Sequence, residues 1–371
     1  MSPSRSVDVR RGPAGLEQIG REWRDLVDSV PTAPFYVRYE WYAAYLRHLE
    51  DEPERVLFLV LREGGDGRGI LMLRPEAVRR FGLSLPTVSV PMCTGLDLAD
   101  CLLAEGERLW DWWPRVWAAL GRAGVQGGVL RFPRVPYGGP ISSLASALPG
   151  HVIVRAQGHS CHFDCRVAAQ ELTARYSTRL RKILRKGEKG LSGLGDVRLR
   201  TARSIADLGD AFREFERLEA SGWKGQGGTA SALQFSPRLR AFHADLFSAA
   251  GSPRHAEINL LVVGERTVAA QLCMISGGVR SLLKIAFEQS LEKVSPGSVL
   301  LDLVLRRSCE EHTCRTVSLV TGQPWMAEWG AASVPVSDVW VLRGPVRAAL
   351  ARTSLGLVER WRRRAASGRP S

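Results

Sequence analysis

Three stretches of this sequence carry residues able to do chemistry. In IADLGDAFREFERLE, Ile205, Leu208, Phe212 and Phe215 recur at spacings of three and four, the stripe a helix buries. Continuing by four lands on Glu219. If the helix persists that far, a carboxylate sits on the apolar face, where desolvation raises its pKa toward general-base values; if the helix frays, the side chain is solvated. Directly after comes the Gly-rich stretch SGWKGQGGTA, with Trp223 and Lys224. A flat side chain and a cation on a flexible loop suit closure over a substrate or cofactor, and equally a plain surface loop. The third stretch is Ser295-Pro296-Gly297-Ser298, placed after a strand. Ser is a good N-cap, Pro fits the first helical position, and free N–H groups at a helix start attract anions such as a phosphorylated cofactor. The same residues would also serve an ordinary capped helix.

Other patterns are weaker. Cys161-His162-Asp164-Cys165 and Cys309-Glu310-Glu311-His312-Cys314 lack the paired CxxC spacing of a structural zinc site, so no metal is expected. There is no GxGxxG after a strand, no GxxxxGK[ST] and no GxSxG, which argues against dinucleotide, P-loop and α/β-hydrolase chemistry. His243 and His255 have no evident partner. The 51 Lys and Arg against 38 Asp and Glu give a formal charge of +13, compatible with a nucleotide cofactor, tRNA or an acidic membrane surface. Seven cysteines without framework spacing point to a reducing compartment, and MSPSRSVDVRR has no apolar core of a secretory signal; the expectation is cytoplasmic. No apolar run approaches bilayer length.

The elements that must position these residues can be read in order. Residues 15–50 are helical with a break at SVPTAPF, followed by a hairpin around a Gly/Asp turn, a strand TVSVPM, a Trp-rich helix WDWWPRVWAALG and a strand GGVLRF. HVIVRAQGHSCHFDC reads as a strand and a linker. QELTARYSTRLRKILRKGEKGLSGLG reads as one basic helix that Gly187, Gly190, Gly193 and Gly195 end. A short strand, the Glu219 helix, another capped helix and an antiparallel meander lead into 281–321: strand, polar loop, helix, strand. SDVWVLRG closes the fold, and PVRAALARTSLGLVERWRRR reads as a basic terminal helix that could meet a membrane surface or RNA. The rhythm hairpin, strand, helix, strand occurs at 56–132 and again at 257–320, which suggests two related α/β halves.

The pieces YSTRLRKILRKGEKGL, EASGWKGQGG, LLKIAFEQSLEKVSPGSVLL and VTGQPWMAEWG, between about Glu171 and Gly330, together resemble one family. It is that of the GNAT-like acyltransferases of cellulose biosynthesis (CelD/BcsL type), related in fold to the Fem-type aminoacyl-tRNA transferases. The resemblance implies an α/β (α+β) fold of two tandem GNAT-like domains, each a mixed, mostly antiparallel sheet flanked by helices. These would be 1–165 and a catalytic 166–345, with a basic helix and tail at 346–371. It implies acetyl-CoA or another acyl-CoA as donor, with its pyrophosphate at Ser295, Gly297 and Ser298. Lys284 and Glu288 would line the cleft, and Trp223 and Trp325 would contact substrate. Glu219, Lys224 and Glu288 form the implied catalytic set, with Glu219 or Glu288 as base. The acceptor would be the amine of a small molecule or glycan, in polysaccharide or natural-product assembly. Two positions depart from the pattern: Trp325-Met326 stands where an aromatic–Lys pair is usual, and Leu291 where a Tyr is. An aminoacyl-tRNA donor fits the positive charge, and a non-catalytic partner is the third reading.

Overall fold

The computed structural model describes residues 4–80, 83–92, 98–125, 127–222, 224, 225, 228–247 and 255–344, with backbone alone at 77–80 and 83–85. Trp223 and the basic helix expected over 346–371 lie outside these residues. The strands are β1 (Arg5–Arg11), β2 (Leu57–Glu63), β3 (Asp66–Arg80), β4 (Leu83–Ser89), β5 (Leu102–Leu103), β6 (Val129–Pro136), β7 (Val152–Asp164), β8 (Val197–Ala202), β9 (Ala256–Val263), β10 (Arg266–Ser276), β11 (Val279–Phe287), β12 (Thr316–Ser318) and β13 (Ala332–Leu342). Helices α1 (Gly12–Gln18), α2 (Gly20–Asp28), α3 (Tyr39–His48), α4 (Leu109–Arg122), α5 (Leu144–Ala147), α6 (Ala169–Ala174), α7 (Thr178–Ser192), α8 (Ile205–Ser221), α9 (Pro237–Leu246) and α10 (Pro296–Glu310) cover the faces.

Among the described residues these strands form one mixed sheet in the order β1-β2-β3-β4-β6-β13-β7-β12-β11-β10-β9-β8, with β5 beside β3. The order is a palindrome. Exchanging β1, β2, β3, β4, β6 and β7 for β8, β9, β10, β11, β12 and β13 reverses it and leaves it unchanged. The sequence rhythm is therefore a real internal repeat, and the two copies trade their last strands. β7 follows β6 in the chain but pairs with β12, while β13 follows β12 and pairs with β6. β7 and β13 then pair with each other from Val152↔Val341 to His162↔Ala332.

Local sequence explains most elements. In β2, residues 57–61 are all buried, as expected of a strand covered on both faces. α6 stops at Ala174 and Ser177 opens α7, its side chain accepting from the Leu180 N–H at 3.0 Å, so the expected single basic helix is two. Gly187 and Gly190 do not end α7, which runs on to Ser192. Both are notches: an added Cβ would lie 2.6 Å from the Val294 carbonyl oxygen at Gly187 and 2.5 Å from Val294 Cγ1 at Gly190. They let the segment before α10 press against α7. VIVRAQGHSCHFD is one long strand, β7, rather than strand and linker. Helices α3 and α9, equivalent under the exchange, meet across the repeat, with Trp41 and Phe242 edge to face at 5.0 Å inside a core shared by both halves.

Candidate active site

The site is built where two parallel strands part. β11 pairs with β12 only from Val279↔Thr316 to Ser281↔Ser318. Its other edge continues along β10 to Phe287, with a bulge at Leu283, since Leu282 faces Cys273 and Lys284 faces Leu272. Beyond Ser281 the β12-side edge of β11 has no strand partner among the described residues. The chain after β12 turns away at Val320, whose φ of 60° is strained for a β-branched residue. Three bonds hold that turn: Val320 N–H to Ser318 Oγ at 3.1 Å, Leu319 N–H to the Cys161 carbonyl at 2.8 Å, and Cys161 N–H to the Thr321 carbonyl at 3.1 Å. In the V between the strands is a cavity of about 240 Å³, lined by Lys224, residues 282–285, Leu301, residues 319–321, Gln323, Trp325 and Met326.

A charge cluster closes one side of this V. α8 extends to Ser221, so Glu219 does not fray into solvent; it is 2% exposed. Its stripe companions Leu208, Phe212 and Phe215 are buried, whereas Ile205 is on the surface. Glu219 Oε1 takes Lys224 Nζ at 3.0 Å and Lys284 Nζ at 3.5 Å, and Oε2 accepts the Leu233 N–H at 2.8 Å. The expectation of a raised pKa is not met. Burial does push the carboxyl up, but Lys284, the Leu233 N–H and Lys224 together outweigh it and hold the group below the ordinary glutamate value. A second space of about 20 Å³, room for roughly one water, lies against Glu219, Lys224, Ile285 and Phe287. Lys224 and Ile285 border both spaces.

His243 belongs to this neighbourhood, which the sequence did not signal. It comes from α9 and is 1% exposed, with Nδ1–H donating to the Leu239 carbonyl at 2.8 Å. Burial first, and Lys284 with it, push its pKa down to about 4, so it is neutral at pH 7. It feels the charges of Lys284 and Glu219, which lie on other elements far along the chain, and no spacing rule reaches that far.

The remaining candidates divide. Ser295 sits in the left-handed region (φ 47°) and caps α10 through its carbonyl, which accepts from Ser298 N–H at 3.0 Å and Val299 N–H at 3.1 Å; its side chain does not cap. A methyl at Gly297 would make only ordinary contact with Ile285 and Phe287 at 3.4 Å, so the start of α10 rests on the β11 side chains that border the cavities. Glu288 stands apart from Glu219 and lines neither cavity. Arg266 Nη2 at 2.7 Å, Arg217 Nη1 at 3.6 Å and Ser290 Oγ at 3.3 Å occupy it. Trp325, 49% exposed, forms the cavity's lip. Met326, at the position where the family pattern has Lys, is buried with Sδ 3.2 Å from the Gln323 N–H. Leu291 packs against the core around Leu261 and Val304. Beside the start of α10, α7 exposes Arg179, Arg181, Lys182, Arg185, Lys186 and Lys189. Among the described residues no three His, Cys, Asp or Glu side chains are grouped to hold a metal, and no helix is long and apolar enough to cross a membrane.

Residues 178–328 match the family described as Acetyltransferase (GNAT) domain. A search of curated proteins gives no match. Among solved structures the chain is similar to FemX, at 12% identity over 88% of this chain and 97% of that one, with a TM-score of 0.56. It is also similar to the C-terminal DUF2156 domain of a protein assigned as a lysylphosphatidylglycerol synthetase from Agrobacterium fabrum (12% identity, 92% and 97% covered, TM-score 0.53). A conserved protein of unknown function from Bacteroides thetaiotaomicron aligns at 10% identity, with 87% and 97% covered and a TM-score of 0.55. At these identities the structures speak for the fold alone. The chain has a GNAT acyltransferase fold, and its acetyltransferase-type domain contains the V, the Glu219 cluster and the start of α10.

Proposed function

We propose that the chain is an N-acyltransferase that holds an acyl group in the V between β11 and β12 and passes it to an amine. The observation that carries this reading is the cavity itself, with the edge of β11 that has no strand partner among the described residues on one wall and Lys224 and Lys284 at its border. In this reading residues 1–165 and 166–345 are the two copies of the repeat, and the second copy carries the chemistry. Acetyl-CoA or a longer acyl-CoA is the donor, its pyrophosphate at Ser295, Gly297 and Ser298 beside the cations of α7. The acceptor nitrogen attacks the thioester carbonyl. A C–N bond forms, the C–S bond breaks, the thiolate is protonated, and the acceptor's proton leaves to water. Charge developing on the carbonyl oxygen is met by backbone N–H groups of β11 and by the lysine ammoniums.

Glu219 is a poor proton acceptor in this reading, because cations and an N–H already occupy both its oxygens. It serves as a positioning residue that aims Lys224 and Lys284. Glu288, held by two arginines outside the cavities, keeps a structural part. Replacing Lys284 with Met tests the assignment: turnover with acyl-CoA and an amine panel should fall about 100-fold, the usual loss for one oxyanion donor, with CoA affinity changed less than about threefold. Unchanged turnover would remove Lys284 from the mechanism.

A second reading keeps the site and changes the donor to an aminoacyl ester of tRNA, so that a C–O bond breaks instead. The six exposed cations of α7 next to the start of α10 favour it. If it holds, binding of charged tRNA weakens steeply with salt, and Lys186→Glu with Lys189→Glu lowers the slope of log affinity against log salt by about two. A flat salt dependence would retire it.

A further inference from the structure

A larger cavity, of about 320 Å³, lies in the first copy of the repeat. Its wall at 136–140 starts at the last residue of β6, and Gln323, Trp325 and Met326 of the acyl cavity come after β12. The opposite wall is different. Where the second copy brings lysines, the first brings Asp100, only 6% exposed. Its Oδ1 accepts the N–H groups of Cys101 at 2.9 Å and Ile141 at 3.0 Å. An added Cβ at Gly139 would fall 1.8 Å from Oδ2, so only glycine there leaves room for the carboxylate.

The other buried acids among the described residues show what is missing. Glu50 has Arg74, Glu219 has two lysines, Glu257 has Arg280, Glu288 has Arg266, Asp302 has Arg306 and Asp338 has Arg131. Asp100 alone has no cation among the described residues, in a chain carrying 51 of them. Burying a carboxylate without a counter-charge is costly, so its ordinary fate is to be paired or to lose its charge. Here burial, only partly offset by the two N–H groups, pushes the carboxyl up to about 7. The side chain also faces a cavity rather than packed core. Tyr36 and Tyr137 stand on its walls with Pro34, Val37 and Leu102, an apolar and aromatic lining of the kind that holds the body of a small organic cation.

We propose that this cavity binds a small molecule bearing a protonated primary amine, with the ammonium group against Asp100 and the organic body against the tyrosines. The proposal does not depend on the acyl-transfer reading, because its test reads binding and not turnover. The full chain is titrated by calorimetry or ligand-observed NMR at pH 7.5 with benzylamine and with its uncharged counterpart benzyl alcohol. Benzylamine should bind at least tenfold more tightly. Asp100→Asn, which keeps the acceptor oxygen for Cys101 and Ile141, should abolish that preference. Thr32→Trp, at the exposed rim of the cavity, should block both ligands while leaving Asp100 untouched. Equal affinity of the wild type for amine and alcohol would overturn the proposal whether or not the variants fold. So would undiminished amine binding by Asp100→Asn, or by Thr32→Trp.

Discussion

Glu219 and His243 show how one helix face and one distant helix create an electrostatic site. Both are almost wholly buried and both touch the field of Lys284, yet they titrate for opposite reasons. Glu219 is held ionised by its partners. Its folded pKa is depressed, so its contribution to stability is present above the ordinary glutamate range and is lost as pH falls through the lowered folded value. Glu219→Gln leaves two lysines without their carboxylate and should cost about 1–3 kcal/mol at pH 7 by urea unfolding, with the deficit shrinking in acid. His243 is kept neutral by burial. Between about 6.5 and 4 the unfolded chain binds the proton that the folded chain refuses, so stability falls with acidification across that window, by about 3 kcal/mol when complete. His243→Gln should flatten this limb of the stability–pH curve. A wild-type curve that is level from pH 7 to 4 would contradict the assignment. At this scale the sequence was half legible. The 3–4 spacing put Glu219 on the buried stripe, but its three partners come from Lys224, the turn at Leu233 and strand β11, and only folding brings those together. Glu288 is the converse case: one residue past the end of β11, it pairs with Arg266 and Arg217, partners that no local spacing announces.

At the level of elements, α7 and α10 are mutually fitted. Glycine usually weakens a helix, by about 1 kcal/mol against alanine, and that is why Gly187 and Gly190 read as terminators. The structure keeps the helix and uses the missing side chains, with Val294 and Val299 filling the space. Gly187→Ala should therefore destabilise by about 2 kcal/mol despite its better propensity, the scale of overpacking a tight contact. Gly193→Ala, where φ is −71° and the nearest atom is 3.5 Å away, should stabilise by about 0.5 kcal/mol. Thermal or urea melts of the two variants check the opposite signs. The strand, loop, helix and strand of 281–321 were plain from alternation and from Ser-Pro-Gly. The left-handed Ser295 and Val320 were not, because both residue types normally avoid that conformation and only tertiary bonds hold them there.

The whole molecule is a repeat that cannot be cut cleanly. Periodicity revealed the two copies, since each carries its own hairpin, strand and helix. The exchange of β7 and β13 was hidden, because strand partners far apart in sequence leave no local pattern. Each copy's sheet is completed by the other's last strand, and α3 and α9 share one core. The chain should thus unfold in one cooperative transition, with calorimetric and van't Hoff enthalpies agreeing; two separated transitions would show that the copies stand independently. The same continuity fixes the angle at which β11 and β12 part, and with it the cavity on which the functional reading rests. The most direct test is calorimetric titration of the full chain with acetyl-CoA and a longer acyl-CoA, beside Thr321→Trp, which fills the V from the β12 side. The account predicts saturable, one-to-one acyl-CoA binding in the wild type, weakened at least tenfold in Thr321→Trp with its melting temperature retained. Acyl-CoA binding that ignores the filled V, or no binding of either acyl-CoA, would contradict it.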